Sequence, residues 1–300
     1  MTKIGKLSGI LLAMASSATF GLIPLFSIPV LDSGVNLESL CLYRFLVATV
    51  LMALFMLCKG VSFKIKREEF IPLFILSMFY ASTSIFLTGS YAYMPSSIAT
   101  TIHFLYPVLV TTIMILFFKE SFSLFKGIAV IAALIGVFFL SGSAESSTTG
   151  SISFKGLFFV FITIITYGTY IVGVNQIPIL KRVNGTTLTF YILANSAFFF
   201  LCNILIRGVE FSVLESSSQW YNIIALGLFA TLISDLTLVY AIQIIGSTIT
   251  AILGCMEPLT AVIVGVTLFK EKITTTQYIG IVFVFIAVYL VIMAQGRRRD

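Results

Sequence analysis

Ten apolar runs succeed one another along this chain, at about 7–30, 38–58, 70–93, 97–118, 124–142, 154–174, 187–206, 219–242, 247–269 and 274–294. Each approaches the roughly 20 apolar residues that a helix needs to cross the hydrocarbon of a bilayer. Backbone N–H and C=O groups find no water in lipid, so each run is expected to be a helix. The expected fold class is an all-α integral membrane protein with ten transmembrane helices. Composition agrees, with 59% of residues hydrophobic and 10% charged, against about 25% charged in a soluble domain. A soluble enzyme and a disordered chain are excluded on that balance.

The net charge is +6, but the cations lie in loops beside the apolar runs. Orientation and anionic lipid head groups account for them there, and no nucleic-acid partner is expected. With the N-terminus in the cytoplasm, 13 Lys and Arg residues fall in inside segments, and four (Lys155, Arg207, Lys270 and Lys272) fall in outside loops. That asymmetry places both termini in the cytoplasm, and the membrane is expected to be the plasma (cell inner) membrane. The first run follows Lys3 and Lys6, yet it is longer than the apolar segment of a signal peptide, so it reads as the first span. Cys41, Cys58, Cys202 and Cys255 lie in or beside apolar runs without CxxC spacing. Neither a disulfide framework nor a metal site is expected from them. A single histidine, His103, leaves no His-based metal centre, and no cofactor is expected.

A polar, linker-like stretch from Ser141 to Ser151 leaves five spans on each side. The expected division is 1–142, a linker at 143–153, and 154–300. The halves echo one another. Pro107 is followed after eleven residues by Lys119-Glu120, and Pro258 after eleven residues by Lys270-Glu271. Gly127-Ile128 matches Gly280-Ile281, and Phe20-Gly21 matches Tyr167-Gly168. An odd number of spans per half turns the second copy upside down, a common transporter plan with its site near the midplane.

These residues resemble the EamA-type transporters of the drug/metabolite transporter superfamily, over about 7–295 and in two copies. The resemblance rests on Tyr43-Arg44-Phe45 with Ala48, on Pro107 with Lys119-Glu120, and on Glu257-Pro258 with Lys270-Glu271. It implies ten helices in two inverted five-helix repeats, and an exporter of amino acids, other metabolites or toxic compounds. Arg44 has no counterpart in the second half, where Ile192 takes the matching place.

Four ionisable residues fall within spans: Arg44, His103, Asp235 and Glu257. Such residues usually face a cavity or a partner, because charge at bilayer depth costs about 2.5–3.5 kcal/mol. Glu257, beside Pro258, is the leading candidate, able to bind a proton or a substrate ammonium. The structural alternative is a bond to a neighbouring helix or to Arg44. Asp235 divides the same way; its depth is too far from that of Arg44 for a direct pair, whereas Arg44 can reach toward Glu257. His103 lies on a polar stripe with Ser96, Thr100, Pro107 and Thr111, and is either an interhelical bonder or a proton carrier. A second stripe runs Ser77, Ala81, Ser84, Thr88 and Tyr91, with Tyr80 beside it. The small residues around Glu257 (Gly246, Gly254, Ala261 and Gly265) read as a packing seam. Pro107 and Pro258 occupy equivalent places as helix-break or gating positions, or as static kinks. Tyr106 is the repeat mate of Glu257. With Tyr43, Tyr80, Tyr91, Tyr167 and Tyr170 it can wall a cavity, while Trp220 reads as an interfacial anchor.

No GxxxxGK[ST] loop, GxGxxG turn, G-x-S-x-G elbow or HExxH pair occurs, which argues against an ATP-driven pump and the commoner membrane hydrolases. The expectation is a secondary transporter of a small-molecule substrate working by alternating access. Glu257, with Arg44, His103 or Asp235, binds substrate or a coupling proton; export and amino acids as cargo are implied by the resemblance alone. The alternatives are an importer or exchanger on the same fold, a membrane enzyme acting on a lipid-linked substrate, and a passive channel.

Overall fold

The computed structural model describes residues 3–121, 123–141, 153–268 and 274–296. The linker expected at 143–153 (Ser153 apart), the second Lys270-Glu271 pair, Lys272 and Arg297–Arg299 lie outside the described residues. Regular structure among the described residues is entirely helical. The first half comprises α1 (Lys3–Phe20), α2 (Ile23–Asp32), α3 (Leu37–Lys59), α4 (Arg67–Ser90), α5 (Ser96–His103), α6 (Tyr106–Leu116) and α7 (Leu124–Ser141). The second comprises α8 (Phe154–Gln176), α9 (Gly185–Arg207), α10 (Ser217–Gly227), α11 (Ser234–Ile245), α12 (Ser247–Ile252), α13 (Met256–Leu268) and α14 (Thr275–Gly296). Among the described residues nine helical stretches are long and apolar enough to cross a membrane, and the apolar helix Leu124–Leu140 is shorter.

The exterior is what lipid demands. Large apolar side chains such as Leu57, Phe117, Phe154 and Ile206 stand exposed, an arrangement that water would penalise over so wide a surface. The ionisable side chains within the spans are buried instead.

The ends of α3 and α9 show how local chemistry sets helix length. Each helix has 23 residues. Asn36 and Asn184 cap their N-termini, accepting from the backbone N–H of Ser39 and Thr186 respectively. Gly60 and Gly208 end them with φ of +64° and +63°, a left-handed conformation that glycine adopts without strain. The two helices pack antiparallel. At the start of α3, Asn36 bonds Glu210 and Ser212, which follow α9; at the start of α9, Thr187 bonds Ser62, which follows α3. Tyr43 reaches the Ser212 carbonyl, and Tyr191 reaches the Phe63 carbonyl at the opposite end.

Contacts between the halves are reciprocal. Helix α4 packs on α8 as α11 packs on α1, α6 packs on α8 as α13 packs on α1, and α7 packs on α14. Several of these seams depend on small residues, which let helix backbones approach in a medium that supplies no hydrophobic drive. The closest approach to another backbone involves Gly21, where an added Cβ would lie 2.5 Å from the Glu257 carbonyl oxygen.

Gly21→Ala is expected to lower the stability of detergent-solubilised protein by about 2 kcal/mol, because rigid backbone must move. Gly9→Ala, whose Cβ would meet side-chain atoms of Ile244 and Ile245 first rather than backbone, is expected to cost less. Thermal midpoints of the two variants, measured side by side, check the order.

Candidate functional site

Three spans are interrupted partway through their length. The first breaks between α1 and α2 at Gly21-Leu22, the fourth between α5 and α6 at Phe104-Leu105, and the ninth passes through a 3-10 turn, Leu253–Cys255, between α12 and α13. Pro107 and Pro258 each lie in the first turn after a break, where a missing backbone N–H costs no helix bond. The breaks meet one another. Gly21 abuts the Glu257 backbone, and Gly254 lies directly against the Tyr106 hydroxyl and the Phe104 ring.

Around this meeting point lie the four ionisable residues. Arg44, on α3, is 1% exposed. Its Nε donates to Thr231 Oγ1 at 2.6 Å, Nη1 to Ser84 Oγ at 3.2 Å, and Nη2 to the Ala230 carbonyl at 3.2 Å. Ala230 and Thr231 belong to a π-helical turn, Leu228–Ile233, inserted between α10 and α11. A π turn is wider than an α turn and recurs at functional sites; this one admits the guanidinium. The expected reach of Arg44 toward Glu257 does not form an ion pair among the described residues; the guanidinium bonds the π turn and Ser84 instead. Ile192, at the matching place on α9, is fully buried.

Asp235, on α11, is fully buried, and its Oδ1 accepts the Tyr170 hydroxyl at 2.7 Å while Oδ2 has no partner. Arg44 acts on it electrostatically without pairing directly. His103, at the end of α5, is also fully buried. Its Nδ1 lies 2.8 Å from Thr163 Oγ1, and Nε2 has no partner. Glu257, in the first turn of α13, is 5% exposed, and its carboxyl forms no hydrogen bond among the described residues. It acts electrostatically on Tyr91, Tyr106 and Tyr167.

Aromatic rings join these groups. His103 lies 5.2 Å from Tyr106 and 5.3 Å from Tyr167; Tyr106 and Tyr167 are 4.8 Å apart. Tyr167 continues to Tyr170 at 6.2 Å, Tyr170 to Tyr80 at 4.9 Å, and Tyr80 to Phe45 at 5.7 Å. Tyr91, at the end of α4, bonds Thr100 at the edge of this set. The adjoining cavity, lined by Phe20, Ile23, Arg44, Tyr80, Ser84 and Thr88 among others, holds about 10 Å³, room for roughly one water molecule. The space beside Arg44 is therefore closed in this conformation. At the α6–α7 corner Glu120 pairs with Lys126 and accepts from Thr248 of α12 at 2.6 Å, a clasp between the halves.

Sequence reasoning placed Arg44, His103, Asp235 and Glu257 within spans but did not find Thr231 and Thr163, the hydroxyls that bond Arg44 and His103. A signal for the first was present, since Thr231, Ser234 and Asp235 share one helix face. Among the described residues no three His, Cys, Asp or Glu side chains cluster to hold a metal.

A family model described as the EamA-like transporter family matches residues 7–142 and again 154–293. No curated protein matches the chain. A protein solved by crystallography is 17% identical and superposes with a TM-score of 0.79, covering 96% of this chain and 99% of its own. That similarity speaks to the fold.

Tyr170→Phe leaves Asp235 with neither oxygen bonded, and is expected to destabilise the protein by about 1–3 kcal/mol. Thr231→Val is expected to cost more than Ser84→Ala, since Thr231 both accepts from Arg44 and donates to the Leu226 carbonyl. Thermal unfolding of the three variants in detergent gives both comparisons.

Proposed function

The chain belongs to the EamA-like transporter family, and from that premise we propose that it is a secondary transporter that exports small metabolites such as amino acids by alternating access. The two halves, 1–142 and 154–300 joined by the linker at 143–153, act as inverted five-helix repeats, ten spans in all. The antiparallel α3–α9 pair and the reciprocal contacts of the remaining helices support that arrangement. Both termini lie in the cytoplasm, a reading that rests on the distribution of Lys and Arg, and the membrane proposed is the plasma membrane.

The observation that carries the proposal is the Glu257 carboxyl, buried and unbonded where three interrupted spans meet. A carboxyl so placed takes up a proton or a cationic group when the core opens to one side and releases it on the other. Arg44, His103, Asp235, Tyr106, Tyr80 and Tyr91 complete the binding surface, and the breaks before Pro107 and Pro258 serve as hinges. The Glu120–Lys126–Thr248 clasp closes the cytoplasmic end, and the bonds of Asn36 and Tyr43 to the segment after α9 close the outer end. A cavity of about 10 Å³ favours a carrier over a passive channel. An importer or exchanger would use the same residues, with direction set by gradients.

In proteoliposomes, wild-type protein is expected to show saturable counterflow of labelled amino acids and accumulation driven by a pH gradient. Glu257→Gln is expected to keep exchange and lose the pH-driven accumulation. Counterflow absent for every amino acid, from folded protein, would redirect the substrate search; accumulation intact in Glu257→Gln would remove its coupling role.

A further inference from the structure

Arg44 carries a fixed positive charge and is 1% exposed. Among the described residues its bonded partners are neutral: Thr231 Oγ1 at 2.6 Å, Ser84 Oγ at 3.2 Å and the Ala230 carbonyl at 3.2 Å. The Tyr80 hydroxyl, also neutral, stands beside the guanidinium, and the Phe45 ring centre lies 5.4 Å from its central carbon. No ion pair among the described residues includes Arg44. Asp235, a carboxyl that feels its charge, gives Oδ1 to the Tyr170 hydroxyl instead. Buried charges are normally paired. An intramembrane cation without a counter-charge of its own is a place for a ligand to supply one.

The geometry says where. A guanidinium has five N–H groups. The three bonds take one each from Nε, Nη1 and Nη2, which leaves a further N–H on each Nη. Arg44 lines a cavity between α1, α2, α3 and α4, together with Phe20, Ile23, Tyr80, Ser84 and Thr88 among others. That lining offers hydroxyls and one cation but no carboxyl; Asp235 and Glu257 are not part of it. Phe20 and Ile23 flank the Gly21-Leu22 break, so one wall of the cavity is the place where the first span can change direction. The volume is about 10 Å³, room for one oxygen-sized atom beside the guanidinium. The rest of a ligand enters only as this wall moves.

The group that fits is a monovalent anion. A chloride ion and a carboxylate both supply the charge, but a carboxylate also brings two oxygens to the two Nη nitrogens. Hydrogen bonds between ionised partners are roughly twice as strong as neutral ones.

We propose that Arg44 receives the carboxylate of the ligand in this cavity, between the Gly21-Leu22 break and α4, and that an amine on the ligand is dispensable. The inference deepens the transporter reading and rests on it only for the opening that admits the ligand.

Calorimetric titration of the purified full-length protein in a chloride-free sulfonate buffer tests it, with 3-phenylpropionate, phenylalanine, 2-phenylethylamine and sodium chloride as probes. The two carboxylates are expected to bind, and the amine to bind at least about tenfold more weakly. Arg44→Gln is expected to weaken 3-phenylpropionate by about tenfold or more and to erase the preference for acid over amine, which loss of a structural pin alone would not do. Thr88→Leu, which fills the cavity from α4 and leaves the bonds of Arg44 in place, is expected to weaken the acid as strongly. Amine bound as tightly as acid, no binding of 3-phenylpropionate, or unchanged acid affinity in folded Arg44→Gln would each overturn the proposal; the wild-type series decides if a variant fails to fold. Saturable chloride binding without acid binding would assign the cation to an inorganic ion and overturn it as well. Counterflow of the same probes separates the two readings. Acid binding without counterflow supports the carboxylate site and removes the transport step, whereas counterflow of the amine alone keeps transport and overturns the carboxylate site.

Discussion

Backbone groups at bilayer depth must be satisfied by protein, because lipid offers nothing to bond. In this chain three spans nonetheless interrupt their helices, at Gly21-Leu22, Phe104-Leu105 and Leu253–Cys255, and a fourth widens into the π turn Leu228–Ile233. Such irregularities survive only where other helices cover them. Here they cover one another: Gly21 closes on the Glu257 carbonyl, Gly254 closes on Tyr106, and Arg44 fills the π turn and bonds its Ala230 carbonyl. The polar core is thus a consequence of the breaks as much as a binding surface. Arg44 is held structurally first, and its charge then conditions Asp235 from a distance.

That division of labour separates the ionisable residues. Arg44 is bonded at three nitrogens, and Asp235 and His103 are each bonded on one side and open on the other. Glu257 is bonded on neither. A core meant only to hold helices together would be expected to satisfy all of them, since a buried polar atom without a partner costs about 1–3 kcal/mol. His103 Nε2, at the end of α5, and the Glu257 carboxyl, in the first turn of α13, stand beside two of the breaks, where small changes in helix direction would alter access.

The fold was largely legible. Apolar runs of span length predicted the helices, since in lipid no other structure closes its backbone bonds. The spacing of Pro107 and Pro258 pointed at the breaks, although each proline proves to sit just after its break, in the first turn of the following helix. The matched Asn36 and Asn184 caps and the Gly60 and Gly208 stops, each pair 148 positions apart, carried the repeat as clearly as the prolines but only acquire meaning once their helix ends are seen. Partners were the illegible part. Depth along a helix, counted from uncertain span ends, could not tell whether Arg44 meets Glu257 or a hydroxyl, and no pattern announces the π turn that decides it. Thr163 likewise reads as an ordinary helical threonine until α5 is placed against α8.

The central claim is that the closed core opens alternately to the two sides of the membrane. Thr88 lines the cavity beside Arg44, so the most direct measurement is labelling of Thr88→Cys by a membrane-impermeant thiol reagent applied from each side, in protein freed of Cys41, Cys58, Cys202 and Cys255 and shown to retain counterflow. The account predicts labelling from either side, with conditions that favour one side suppressing the other. Labelling from neither side under turnover, or from both sides at once and undiminished, would contradict it.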